Sequence, residues 1–175
     1  MTVTDPPASP ASRHHLGSTR AIGFVVLSVS DTHTEEDDVS GHLARDLIQK
    51  AGHTVVRYHL VANSIADVRD YLEPSLAQAP IEAGVTVGGT GVSSRDLTVN
   101  ALEAMGGQVV PGFGELYRSL SFAEVGPLAM MSRASLFLIK RKPVFGLPGS
   151  ERAVRTALER LILPGIEHLV EELER

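Results

Sequence analysis

Four carboxylates, Asp31, Asp37, Asp38 and Asp96, fall in two polar stretches, each lying between an apolar run and a helical pattern. Hard oxygen ligands of this kind hold Mg²⁺ between a protein and phosphate oxygens. Asp is also a favoured helix N-cap, and Asp37 and Asp38 stand directly before a helical pattern, so capping accounts for their placement too. The run Gly88-Gly89-Thr90-Gly91 also follows an apolar stretch. Glycine reaches φ > 0 without strain and carries no Cβ, which suits either a tight turn or a backbone that approaches a phosphate closely. It has neither the GK[ST] ending of a Walker loop nor the third glycine of a dinucleotide fingerprint.

Glu115 and Arg118 lie three residues apart, the spacing of an ion pair on a helix surface. Arg133 precedes a turn, where a guanidinium either clamps an anion or is solvated. The hydroxyls of Ser30, Thr90 and Ser132 have no Ser-His-Asp company and there is no cysteine, so covalent catalysis is not indicated.

The elements that must position these residues read as alternating strands and helices. Residues 22–29, IGFVVLSV, form a nearly continuous apolar run, as expected of a central parallel strand covered on both faces. A helix follows from Ser40, with Leu43, Leu47, Ile48 and Ala51 at helical spacing and Gly52 as its stop. The unit repeats with a strand over 53–61 and a helix capped by Asn63 or Ser64 that presents Ile65, Val68, Leu72 and Leu76. A third strand, 83–87, runs into the glycine turn and a helix over 97–105. Beyond Gly107 the pattern predicts a helix over 112–121 and a hairpin of strands 135–139 and 143–147 across Lys140-Arg141-Lys142. The chain closes on an amphipathic helix opened by Pro148-Gly149-Ser150 and interrupted at Pro164.

This order predicts an α/β fold, a three-layer sandwich around a mostly parallel sheet with right-handed crossovers, plus a small hairpin. Loops 30–40, 88–96 and 148–150 would then gather at the carboxyl ends of strands, where helix N-termini offer free N–H groups to an anion.

The chain has 175 residues, 43% apolar and 21% charged, the composition of one globular domain. A formal charge of -5 speaks against a general affinity for nucleic acid. Residues 1–20 are rich in Pro, Ser, Thr and Ala and read as a disordered tail that includes His14 and His15, leaving 21–175 as the domain. The tail lacks a secretory signal and nothing calls for a membrane span, so a cytoplasmic protein is expected, which the lack of cysteine fits.

Six stretches in order, VSDT (29–32), EDDVSG (36–41), VGGTGVSSRD (87–96), PGFGELYRSLSF (111–122), AMMSRA (129–134) and LPGS (147–150), resemble the molybdopterin-binding family that includes the MoaB and Mog proteins. EDDVSG and PGFGE look like the MoaB branch. The resemblance implies a role in molybdenum cofactor biosynthesis, a homotrimer or a hexamer of two trimers, and adenylylation of molybdopterin by Mg-ATP with release of pyrophosphate. No permanently bound cofactor is implied. Such chemistry needs positioning and charge neutralisation more than a protein nucleophile. Carried over residue by residue, Gly88, Gly89, Thr90 and Gly91 with Pro148, Gly149 and Ser150 would hold the phosphates of nucleotide and pterin. Asp38 and Asp96 would be the catalytic acids near Mg²⁺, and Ser30, Asp31, Glu115 and Ser132 would join the binding site. Active relatives carry an acid near Asn63 and an Asn near Gly146, and both functions are missing here. The RDxTPEA pattern of many relatives reads RDLTVNA here, over 95–101.

Overall fold

A computed structural model describes residues 20–175. Strands β1 (Gly23–Val29), β2 (Thr54–Val61), β3 (Ile81–Val87), β4 (Gln108–Val109), β5 (Ser135–Ile139) and β6 (Lys142–Leu147) form one sheet in the order β2-β1-β3-β6-β5-β4. The strands β2, β1, β3 and β6 run parallel, and β5 is antiparallel to both its neighbours. The helices are α1 (Val39–Lys50), α2 (Ile65–Leu76), α3 (Thr98–Ala104), α4 (Pro111–Val125), α5 (Glu151–Ala157) and α6 (Ile166–Glu174).

The period of two along β1 makes the three layers. Phe24 and Val26 face a core that includes Ala44 and Ile48 of α1, Phe113 of α4, Val154 of α5 and Val170 of α6. Val25, Leu27 and Val29 face the opposite core, with Val68 and Leu72 of α2 and Leu102 of α3. Because β1 is covered on both faces, its sequence is almost uninterruptedly apolar, whereas β2, at the sheet edge, has no fully buried residue.

The predicted hairpin forms, but Lys142 joins β6 and leaves a two-residue turn, with Lys140 and Arg141 both at positive φ (52° and 61°), as a turn matched to strand twist requires. Two features differ from the sequence pattern. The two-residue strand β4 gives no periodic signal because it is too short to show one. The last helix departs from regular geometry before Pro164, through a π-helical segment at Leu158–Ile162, where Val154, Ala157, Leu158 and Ile162 of the inward face are buried and Leu161, by its spacing also inward, is only partly so. Residues 1–19, with His14 and His15, lie outside the described residues. Arg20, assigned by sequence to the tail, donates to both carboxylate oxygens of Glu174 at 2.7 and 2.6 Å and also pairs with Glu82.

One core contact is sensitive to acid. His53 is 8% exposed, and its Nδ1 accepts the Ile22 N–H at 3.3 Å, which requires an unprotonated nitrogen there. Burial holds this imidazole below its ordinary value of 6.5, with Glu167 opposing. A depressed folded-state value means that the unfolded chain binds the proton first, so this stabilisation is complete above about 6.5 and is lost as pH falls below it. Between pH 7 and 5 the melting temperature of the wild type is expected to fall more steeply than that of His53→Gln. Parallel curves in a thermal-melt series would refute this account.

Candidate functional site

The carboxyl ends of β1, β3 and β6 meet side by side, and the loops that leave them build a cleft of about 470 Å³. The chain crosses to β2 on one side after β1 and to β4 at the opposite edge after β3, which makes this a topological switch point where open α/β sheets bind ligands. Ser28 lines it from the end of β1, Ser30, His33 and Asp38 from the first loop, Gly88 from the second, and Gly149 and Ser150 from the third.

The glycines permit this convergence. Gly88 has φ +103°, and a Cβ there would stand 2.4 Å from the Val29 carbonyl oxygen. Gly89 has φ +65°, and a Cβ would meet Thr98 Oγ1 at 2.3 Å and Asn63 Oδ1 at 2.8 Å. At Gly149 a Cβ would approach Gly88 Cα to 3.3 Å. The close packing of three strand ends therefore already requires glycine at 88 and 89, which satisfies the turn reading of this motif, and Gly88 also reaches the cleft.

Asp38 is 7% exposed at the N-terminus of α1. Its Oδ1 accepts the Gly41 N–H at 3.0 Å, the capping bond expected of Asp before a helix, and its Oδ2 accepts the Tyr58 hydroxyl at 2.7 Å. Burial, and then the bond to Asp38, pushes the Tyr58 phenol above the ordinary tyrosine range. Gly41 makes room for this cluster, since a Cβ there would lie 2.0 Å from Asp38 Oδ2 and 2.2 Å from Ser28 Oγ. Asp37, also on the cleft wall, accepts the Thr34 N–H and the Thr34 hydroxyl, the latter at 3.0 Å, and these bonds hold its carboxyl below the usual range.

Ser30 Oγ accepts the N–H groups of Thr32 and His33 at 3.2 and 3.1 Å and shares a 2.9 Å bond with His33 Nδ1, which shapes the loop and sets His33 against the cleft. Asp31 Oδ1 accepts the Asn63 N–H at 2.8 Å, and Asn63 Oδ1 in turn accepts the Leu97 N–H at 3.1 Å. Asn63 thus ties the first loop to the second. Of the two caps the sequence offers for α2, Ser64 is the one used, accepting the Asp67 N–H at 3.0 Å.

Asp31, Gly89, Thr90, Gly91, Asp96, Glu115, Ser132 and Pro148, expected at the site, do not line this cleft. Asp96 Oδ2 closes its own loop by accepting the Ser93 N–H at 2.9 Å, while Thr90 is 2% exposed with an unpaired Oγ1. Ser132 Oγ accepts the Ala134 N–H at 3.2 Å. Ser150 Oγ caps α5 by accepting the Ala153 N–H at 3.3 Å.

Glu115 is exposed and forms no ion pair with Arg118. Gly114 lets α4 approach the start of β5, and Arg118 donates instead to the carbonyls of Ser132 and Ala134 at 3.3 and 3.5 Å. Arg133 likewise clamps protein rather than an anion. It donates to the Gly91 carbonyl at 2.7 Å, to Asn100 Oδ1 at 3.1 Å and to the Asp96 carbonyl, while its own N–H bonds the Thr90 carbonyl at 2.8 Å. Sequence reasoning left Ser28, His33 and Tyr58 unassigned. Ser28 had one signal, as the only polar residue in the apolar run of β1.

Among the described residues no three His, Asp or Glu side chains converge on a common metal position. Mg²⁺ needs fewer protein ligands, since it keeps water and takes phosphate oxygens beside one or two carboxylates. Asp96 fits that demand best, because Oδ1 accepts no hydrogen bond from the described side chains and loops. Asp38 offers only the second lone pairs of two engaged oxygens. No helix among the described residues is long and apolar enough to cross a membrane.

A cleft of glycine turns, hydroxyls and carboxylates at the switch point of a mostly parallel sheet defines an α/β domain that binds a small polar ligand. The chain belongs to the molybdopterin-binding family of molybdenum cofactor biosynthesis proteins, since residues 25–168 match the family model described as "Probable molybdopterin binding domain". It is 38% identical over 165 residues to molybdenum cofactor biosynthesis protein B of Bacillus anthracis, covering 94% of this chain and 98% of that one. A crystal structure of a molybdenum cofactor biosynthesis protein B superposes with a TM-score of 0.87 at 38% identity, over 91% of this chain and 99% of that one. The tungsten cofactor synthesizing protein MoaB from Pyrococcus furiosus superposes with a TM-score of 0.80 at 30% identity, over 89% and 99% of the two chains.

Proposed function

We propose that this domain binds molybdopterin together with Mg-ATP and adenylylates the pterin. A terminal phosphate oxygen of molybdopterin attacks the α-phosphorus of ATP, the bond between the α- and β-phosphates breaks, and pyrophosphate leaves. The observation that carries the reading is the convergence of three family motifs, VSDT to EDDVSG, VGGTGVSSRD and LPGS, on one strand-end edge. Mg²⁺ would be held by Asp96, whose Oδ1 accepts no hydrogen bond from the described residues, and would supply charge neutralisation between the phosphates and the protein. The chain itself positions: Gly88 and Gly149 leave backbone exposed to phosphate, and the Arg133 clamp fixes the loop that carries Asp96.

A second reading, a pterin-binding protein without turnover, draws on two positions. Asn63 presents an amide whose oxygen is already engaged by Leu97 N–H. Gly146 lies inside β6, where even a Cβ would come within 3.3 Å of Ser135 Oγ, so no side chain reaches out from it.

Calorimetric titration with ATP and Mg²⁺, followed by a molybdopterin turnover assay that detects pyrophosphate, separates the two. Adenylylation requires both ATP binding and pyrophosphate, with Asp96→Ala lowering turnover about a hundredfold or more. Pterin binding without ATP consumption selects the second reading, and unchanged turnover in Asp96→Ala removes the metal role.

The family resemblance also calls for a homotrimer or hexamer, and we place its contact on α4 and the 3₁₀ segment Gly126–Met131. There Leu116, Phe122, Leu128 and Met130 are 58%, 60%, 63% and 80% exposed, far more than apolar side chains of this size ordinarily leave in water. Leu128→Asp combined with Met130→Asp is expected to shift the protein to monomer in sedimentation velocity, and an unchanged assembly would move the contact elsewhere.

A further inference from the structure

Ser28 is 2% exposed, lies on the cleft wall, and has an Oγ with no hydrogen-bond partner among the described residues. Tyr58 Oη lies near this hydroxyl without hydrogen-bond geometry to it, and its own proton goes to Asp38. A buried hydroxyl left unpaired is costly, and in native structures such a group calls for a partner met in use. Beside it stands Asp38, also nearly buried and on the same cleft. Both its oxygens are oriented by Gly41 and Tyr58, and each keeps a lone pair. This end of the cleft thus offers one O–H and a fixed carboxylate.

The charge around it decides what can enter. Among the described residues Asp37, Asp38 and Glu151 line the cleft against one imidazole, His33, so a phosphate is repelled from the Asp38 end and N–H donors are attracted. We infer that Ser28 and Asp38 recognise an amino-substituted nitrogen heterocycle. Asp38 accepts from its amino or ring N–H groups, Ser28 donates to a ring nitrogen or carbonyl, and Tyr58 is the positioning residue that holds Asp38. This rests on reading the cleft as a pterin and nucleotide site and adds which end of the ligand it reads. A pterin and an adenine share this chemistry, and the experiment tells them apart.

Calorimetry of wild type, Ser28→Ala and Tyr58→Phe with free pterin, with AMP and with ribose 5-phosphate supplies the test. Ser28→Ala is expected to weaken pterin or AMP about tenfold, the worth of one hydrogen bond, and to leave ribose 5-phosphate untouched. Its melting temperature stays equal or rises, because an unpaired buried hydroxyl has been removed. Tyr58→Phe weakens the same probe and no other. The probe that loses affinity names the heterocycle. Equal affinity of Ser28→Ala and wild type for both heterocycles overturns the inference, as does a uniform loss for all three probes with a lower melting temperature. A folded wild type that binds no probe overturns the parent reading and this inference with it.

Discussion

Asp38→Ala is expected to abolish ligand binding and to lower the unfolding free energy by about 2 kcal/mol, whereas Asp38→Asn is expected to keep most of the stability and still lose the ligand. The two effects separate because Asp38 performs two tasks with one carboxylate. As N-cap of α1 it satisfies the Gly41 N–H, a contribution of about 1 kcal/mol that Asn supplies nearly as well. As partner of Tyr58 it satisfies a phenol that is half-buried against His42 and Arg45, and truncation leaves that hydroxyl unpaired at a cost of about 1 kcal/mol more. Asn can also accept from Tyr58, but it brings N–H donors and no charge into the cleft, which removes attraction for N–H groups. Urea denaturation combined with calorimetry checks both halves. If Asn bound ligand as Asp does, the charge would have no part in function, and if Ala cost no stability the cap and the Tyr58 bond would be idle.

Arg133→Ala is expected to cost about 3 kcal/mol and to mobilise residues 90–97. Three guanidinium nitrogens reach the Gly91 carbonyl, the Asp96 carbonyl and the Asn100 side chain, and these span the whole of the loop that presents Asp96. Without the side chain two loop carbonyls and an amide lose a charged donor. A lysine cannot restore them, since one ammonium lacks the planar fork that bonds three separated oxygens, so Arg133→Lys is expected to recover less than half of the loss. Hydrogen exchange read at residues 90–97 should accelerate in both variants while β1 and β3 stay protected. Unchanged exchange in the loop would show that the glycine packing and the Asn63 bond hold it without Arg133.

Long, strongly patterned elements were legible in the sequence because periodicity is a local property. The uninterrupted apolar run of β1 announced a strand buried on both faces, and Val68, Leu72 and Leu76 announced the inward face of α2. The paired positive φ values at Lys140 and Arg141 vindicate the hairpin although neither residue favours them, since strand pairing on both sides imposes the turn. The strand β4 and the π-helical segment escaped for the converse reason: two residues carry no period, and a single π turn is a matter of i→i+5 backbone bonding that the apolar pattern is too short to register.

The sequence by itself determined the alternation of strands and helices, the glycine turns at strand ends, Asp38 as a helix cap and the motif order that places the chain in its family. Tertiary structure alone decided which groups share a cleft. Tyr58 meets Asp38 across 20 residues and Asn63 meets Leu97 across 34, while Arg133 reaches a loop 37 to 42 residues away. Contacts at such separations follow from strand order, and strand order follows from burying both faces of β1 at once. The same packing turned Arg133 from a candidate anion clamp into a loop clamp and left Ser28, a lone hydroxyl in an apolar strand, facing the cleft. No local pattern encodes either outcome, because the partner of a polar side chain is chosen by what the sheet brings beside it.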